Sequence, residues 1–124
     1  MRKKILIIDD ERDFGALLKL SLQENGFDVI IAEDGKSGLE KAKYERPDLI
    51  IFDLGLPGLS GEEICRQIRK DECPKGVPII MLTAKGSDAD RIIGKVIGAD
   101  SYLTKPCDTQ ILLKEIDRLI GTTD

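Results

Sequence analysis

The sequence contains no histidine, no tryptophan and only three cysteines among its 124 residues. A structural zinc site takes four ligands, mostly Cys and His, so a single copy of this chain lacks the ligands for one. The cysteines, Cys65, Cys73 and Cys107, are odd in number and widely spaced, which argues against a disulfide framework. We therefore expect reduced thiols in a reducing compartment.

Long apolar runs and an excess of positive charge are missing as well. No apolar run approaches the roughly 20 residues that a membrane-spanning helix needs. The run behind the basic N-terminus, Ile5–Ile8, ends at Asp9 and is too short for the core of a signal peptide. The formal net charge is -4 at pH 7, whereas nucleic-acid binding depends on a clustered basic surface. We therefore expect a cytoplasmic protein that contacts neither nucleic acid nor a membrane.

The sequence is built from short apolar runs that alternate five times with amphipathic stretches. The apolar runs lack strict period-two alternation, which is typical of strands buried on both faces of a parallel sheet. These runs are Ile5–Ile8, Val29–Ala32, Leu49–Phe52, Ile79–Leu82 and Tyr102–Thr104. The stretches between them carry apolar residues at helical spacing and predict helices around residues 14–22, 38–42, 64–68, 89–97 and 112–120.

Strict alternation of strands and helices predicts an α/β fold with a parallel sheet and helices on both faces. For five strands, a flavodoxin-like doubly wound (βα)5 fold with strand order 2-1-3-4-5 is the leading candidate. The alternation fills the chain, so we expect a single domain over residues 1–124, with no output domain in this chain.

Polar residues stand at the ends of four of the five predicted strands. Asp9 and Asp10 follow the first strand, Asp53 the third, Thr83 the fourth, and Lys105 the fifth. Ligands of open α/β sheets bind at the carboxyl ends of the strands, so we expect these side chains to converge. Taken singly, each has an ordinary explanation as a turn residue, a helix cap or a surface charge. Their conjunction favours a functional site.

The chemistry of this set favours transfer of a phosphoryl group to a carboxylate. Three converging carboxylates repel one another unless a cation lies between them. Mg²⁺ prefers a few carboxylates, a backbone carbonyl and retained waters. A lysine and a hydroxyl add charge and hydrogen bonding for phosphate oxygens, and such a transfer needs mainly positioning and charge stabilisation.

Four motifs in this order resemble the receiver domain of two-component response regulators, over essentially the whole chain. The motifs are Asp9-Asp10, Asp53–Gly58, Leu82–Ala84 and Gly98–Pro106. The resemblance implies a signalling domain, and not an enzyme with an external substrate. It also implies that Asp53 accepts a phosphoryl group from a sensor histidine kinase, a phosphotransfer protein or a small acyl phosphate.

The resemblance further implies the ligands of a Mg²⁺ ion. Asp10 and Asp53 bind the metal directly, and Asp9 acts through a bound water. Gly55 offers its backbone carbonyl, although it stands where the family often carries a larger side chain. The metal chemistry should survive this departure, but the lifetime of the aspartyl phosphate does not follow from the sequence.

The remaining implied roles concern the switch. Thr83 is the switch hydroxyl, Tyr102 the switch aromatic, and Lys105 pairs with the acceptor carboxylate or its phosphoryl group. The Lys105–Pro106 bond is expected to be cis, which costs only about 0.5–1 kcal/mol before proline. Phosphorylation is expected to repack the face formed by the fourth helix, fifth strand and fifth helix. That face is a candidate contact for an unknown output domain or partner, or for a homodimer, with partly exposed apolar residues such as Ile93 and Val96.

Three rival classes share parts of this pattern. Haloacid dehalogenase phosphatases also use a strand-end Asp with Mg²⁺, but they place a second Asp where this chain has Gly55. Flavodoxins share the fold, but the acids Asp9 and Asp10 would repel the phosphate of FMN. A pseudo-receiver that binds partners without phosphorylation typically lacks some of the acidic residues that are intact here. Cys107 precedes a predicted helix, and a thiol at the start of a helix can have a lowered pKa and be sensitive to oxidation. The alternative is that Cys107 is a purely structural residue.

Overall fold

The computed structural model describes residues 2–53, 61–71, 76–83, 98–105 and 107–121. Its strands are β1 (Lys4–Ile8), β2 (Asp28–Ala32), β3 (Leu49–Phe52), β4 (Ile79–Thr83) and β5 (Ser101–Thr104). Its helices are α1 (Arg12–Glu24), α2 (Gly35–Glu45), α3 (Gly61–Asp71) and α4 (Thr109–Ile120). Here α4 is the last of the five helices predicted from the sequence. The segment predicted as the fourth, with Ile93 and Val96, lies outside the described residues.

The five strands form one sheet in the order β2-β1-β3-β4-β5. Every neighbouring pair of strands is parallel. β1 lies between β2 and β3 and pairs with β2 over its whole length. The predicted flavodoxin-like α/β fold, with strand order 2-1-3-4-5, is therefore confirmed. The only shift at β5 is its start at Ser101, one residue earlier than the apolar run.

The buried apolar residues that the structure describes form two clusters, one on each face of the sheet. Successive side chains of a strand point to opposite faces, so each buried strand supplies both clusters. One cluster joins α2 and α3 to the sheet through Ala42, Ile64, Cys65 and Ile68, which pack with Leu6, Ile8, Ile50, Phe52, Ile79 and Met81. The other joins α1 and α4 through Leu18, Leu22, Leu112 and Ile116, which pack with Ile5, Ile7, Leu49, Ile51, Ile80 and Leu82.

Gly38 lets α2 approach the sheet closely beside the strand end that carries Asp9. A Cβ at this position would lie 2.6 Å from Cδ1 of Ile8, which is fully buried. Overpacking of this kind typically costs about 1–3 kcal/mol. Glycine is therefore favoured at this position because a larger side chain would clash with Ile8.

Arg69 of α3 ties together the chain segments before β4 and β5. Its guanidinium donates to the carbonyl of Val77 at 2.6 Å, to the carbonyl of Gly98 at 2.8 Å and to Asp100 at 2.9 Å. The Asp100 carboxylate also accepts from the backbone N–H of Ile79 at 2.8 Å. This network holds the amino ends of β4 and β5 to the helix and was not predicted from the sequence.

Replacing Arg69 with Met should lower the free energy of unfolding by about 1.5–2 kcal/mol. This is the lower part of the range for hydrogen bonds to charged groups, because about a third of the side chain is exposed. Arg66→Met is the matched control, since Arg66 pairs with Glu63 on the surface of the same helix and such pairs contribute about 0.5 kcal/mol or less. Urea denaturation of both variants measures the difference, and equal losses would contradict the role of Arg69.

Candidate functional site

The strand ends position two of the acidic side chains through backbone hydrogen bonds. The N–H of Asp9 donates to the carbonyl of Ala32 at 3.0 Å, and the N–H of Asp53 donates to the carbonyl of Ile8 at 3.1 Å. Each residue thus continues the pairing of its strand by one position. Asp9 and Asp53 therefore stand side by side at the carboxyl edge of the sheet, and both are buried.

Asp10 completes an acidic cluster at this edge. One carboxylate oxygen from each of Asp9, Asp10 and Asp53 lies within 4.8 Å of the others, and Asp10 alone is exposed. These three residues lie close together, as the sequence predicted. Like charges at this separation repel strongly away from bulk water, so the cluster requires cations nearby.

Lys105 reaches this cluster from the end of β5. Its ammonium Nζ lies 2.8 Å from Oδ2 of Asp9, 3.0 Å from Oδ2 of Asp53 and 2.9 Å from Oε1 of Glu11. The Lys105 side chain is only 8% exposed. It also lies over the ring of Phe14, 4.3 Å from the centroid, a distance suited to a cation–π interaction.

The sequence predicted Phe14 only as an apolar residue of the first helix, and it predicted no role in the site for Phe14 or Glu11. Glu11 directly follows the acid pair, and Phe14 lies in the first turn of α1. The one feature of the sequence that could have indicated a role for Glu11 is its position directly after Asp9 and Asp10. Nothing in the sequence shows that Lys105 crosses to this helix.

Burial and pairing set the ionisation of the two central groups. Burial raises the pKa of Asp9 above its ordinary value, although hydrogen bonds from Lys105 and from the N–H of Glu11 act in the opposite direction. Burial by itself would lower the pKa of Lys105, but its hydrogen bonds to Asp9, Glu11 and Asp53 outweigh this effect and raise it. Lys105 therefore stays protonated at every physiological pH.

The other predicted site residues are described only in part. Thr83 ends β4, where its backbone pairs with Thr104 at the end of β5. Tyr102 of β5 lies opposite Met81 and packs, half-buried, against the cluster beneath α2 and α3. Gly55 and Pro106 lie outside the described residues, so the carbonyl ligand and the cis bond stay predictions.

Cys107 does not have the environment of a reactive thiol. Burial, with the charge of Asp108 as a second cause, raises its pKa above the ordinary value. A redox-sensitive thiol would need a lowered pKa, so the structural explanation of Cys107 is favoured. Cys65 is fully buried in the core, and burial raises the pKa of its thiol to about 12.

The model of the response regulator receiver domain family matches residues 5–117 of this chain. The chain belongs to that family. The PhoP transcriptional regulatory protein of alkaline phosphatase synthesis from Bacillus subtilis (strain 168) is 48% identical over 106 residues, which are 86% of this chain and 43% of PhoP. The chain thus spans less than half the length of this relative.

Solved receiver structures superimpose closely on the fold. Chemotaxis protein CheY4 of Vibrio cholerae is 34% identical with a TM-score of 0.90, over 96% of this chain and 99% of CheY4. The receiver domain of the sensor histidine kinase PA1611 from Pseudomonas aeruginosa PAO1, solved with a magnesium ion in its active site cleft, is 32% identical. Its TM-score is 0.89, over 98% of this chain and 100% of that one. The receiver family is thus favoured over the dehalogenase and flavodoxin alternatives.

Membership of this family makes the chain a receiver domain of two-component signalling. Within the part of the chain that the structure describes, no helix has the length and apolar character needed to cross a membrane.

Proposed function

We propose that Asp53 accepts a phosphoryl group in a Mg²⁺-dependent reaction and that this switches the signalling state of the domain. The observation that carries the proposal is the ammonium of Lys105, which bridges the buried carboxylates of Asp9 and Asp53 beside Asp10. The donor is a sensor histidine kinase, a phosphotransfer protein or a small acyl phosphate.

With acetyl phosphate, a carboxylate oxygen of Asp53 attacks the phosphorus atom. The bond from phosphorus to the bridging oxygen breaks, and its electron pair leaves with acetate. Lys105 stays protonated and donates to a phosphoryl oxygen, so Asp53 needs no general base. The reaction is thus one of positioning and charge stabilisation. The domain catalyses only its own phosphorylation and dephosphorylation.

The donor set at this edge fits a hard divalent cation. Among the described residues, four carboxylates, those of Asp9, Asp10, Glu11 and Asp53, face the one ammonium of Lys105, which leaves an excess of negative charge. Asp10 and Asp53 would hold Mg²⁺ directly and Asp9 through a water, with the carbonyl of Gly55 as a further ligand. When bound, Mg²⁺ supplies positive charge that offsets the charge on the phosphoryl oxygens. The magnesium ion in the cleft of the PA1611 receiver domain supports this choice of metal.

Phosphorylation of Asp53 would act as a switch by changing another surface of the domain. Thr83 turns its hydroxyl to a phosphoryl oxygen, and Tyr102 moves into the space that becomes available. The face around the fourth predicted helix, β5 and α4 is then repacked for an output domain, a partner or a second copy of this chain. Light scattering with and without beryllofluoride, a mimic of the phosphoryl group, tests the homodimer.

Incubation with acetyl phosphate tests the function directly. The intact mass should increase by one phosphoryl group when Mg²⁺ is present, and EDTA should prevent the increase. A protein that folds and binds Mg²⁺ but takes up no phosphoryl group would be a pseudo-receiver, and the proposal would be wrong.

A further inference from the structure

Lys105 has used all of its hydrogen-bonding capacity in the unphosphorylated protein. An ammonium has three N–H donors, and the Nζ atom contacts three carboxylates within 3.0 Å, those of Asp9, Glu11 and Asp53. A phosphoryl group on Asp53 would bring new acceptor oxygens that need the same donors. The contact with Asp53 then passes to one phosphoryl oxygen, and the other terminal oxygens compete with Asp9 and Glu11 for the two remaining donors.

The three contacts differ greatly in how easily they can be broken. The side chains of Asp9 and Asp53 are 3% and 11% exposed, whereas that of Glu11 is 60% exposed. The buried carboxylate of Asp9 would lose the cation that compensates its charge, which is strongly unfavourable. Glu11 would simply be hydrated, so it is the partner that leaves at the lowest cost.

The local structure leaves the Glu11 side chain available for this contact. Glu11 occupies the N-cap position of α1, yet its side chain makes no capping hydrogen bond. Its carbonyl accepts from the N–H of Gly15 at 2.9 Å, which fixes its backbone in the helix start. After release, its carboxylate remains near the positive end of the helix dipole.

From these contacts we infer that Glu11 is a positioning residue that holds Lys105 in the unphosphorylated state and is displaced by the phosphoryl group. The inference rests on the proposed function and assigns a regulator to the same site. Phe14 keeps the ammonium in place during the exchange, because its ring centroid lies 4.3 Å from Nζ. This cation–π contact does not depend on which anion Lys105 binds. Glu11 thus competes with the phosphoryl group for Lys105.

Calorimetric titration with beryllofluoride at saturating Mg²⁺ tests this competition. Glu11→Gln should tighten beryllofluoride binding by about two- to fivefold, the range expected for loss of an exposed ion pair. Asp13→Asn, which removes an exposed carboxylate from the first turn of α1, is the matched control for long-range charge. It should change the affinity by less than about 1.5-fold.

Glu11→Asp separates the contact from simple repulsion of the anion. Asp at an N-cap accepts from backbone N–H groups of the first helical turn, so this variant keeps the charge but directs it towards the helix. We expect its beryllofluoride affinity to rise as in Glu11→Gln, without loss of thermal stability in the unligated protein. Wild-type affinity in Glu11→Asp would overturn the inference in favour of repulsion.

The remaining outcomes distinguish the inference from the function on which it rests. Equal affinities for Glu11→Gln and Asp13→Asn, with normal binding by the wild type, overturn the role of Glu11 alone. A loss of unligated stability in Glu11→Gln without a change in affinity also overturns it, because the contact would then be merely structural. No binding by the wild type overturns the proposed function itself, and the inference with it.

Discussion

Asp53→Asn should abolish phosphorylation by acetyl phosphate. The amide that replaces the carboxylate is a far weaker nucleophile, and the substitution also removes one of the three negative charges that contact Lys105 at the edge of the sheet. Intact mass should show one added phosphoryl group on the wild type and none on the variant over the same time. The expected effect is complete loss, the largest that any single substitution in this chain should produce.

Two controls make this experiment specific to Asp53. Asp13→Asn makes the same chemical change at an exposed carboxylate close to the same edge of the sheet, and it should be labelled as the wild type is. Thermal unfolding of Asp53→Asn shows whether the variant is folded. Persistent labelling of folded Asp53→Asn at another residue would show that the phosphoacceptor is assigned wrongly.

Mg²⁺ should stabilise the protein against thermal unfolding, because it binds the folded acidic cluster and has no such site in the unfolded chain. At 100 times the dissociation constant, the gain in the free energy of unfolding is about 2.7 kcal/mol. The metal relieves the repulsion among Asp9, Asp10 and Asp53, whose carboxylates lie within 4.8 Å of one another. The melting temperature should therefore rise with Mg²⁺ concentration.

Asp10→Ala should remove most of this stabilisation. Asp10 is the exposed member of the cluster, so its removal leaves the contacts of Lys105 with Asp9 and Asp53 intact, and the variant should fold. Asp13→Asn should keep the full Mg²⁺ dependence, and NaCl at equal ionic strength controls for screening of surface charge. A wild-type melt that does not change in millimolar Mg²⁺ would contradict the metal site.

The sequence by itself determined the α/β fold class and the edge of the sheet at which the candidate site residues meet, whereas the strand order was only its leading candidate. Ile-rich and Leu-rich runs such as Ile5–Ile8 and Leu49–Phe52 are apolar on both faces, which is typical of strands in a parallel sheet covered on both sides. Parallel strands end at one common edge, so the residues that follow them must meet there. This is why Asp9, Asp10, Asp53 and Lys105 could be brought together from spacing alone.

Only the tertiary structure decided which groups contact Lys105 and how they are buried. Glu11 and Lys105 are 94 positions apart, and their contact depends on the path of a long, flexible side chain across the sheet edge, which periodicity does not encode. The exposed position of Glu11 and the buried positions of Asp9 and Asp53 likewise depend on how α1 packs against the sheet beside β2. The Arg69 network and the close approach at Gly38 have the same origin, because each arises where distant segments of the chain meet in the packed fold.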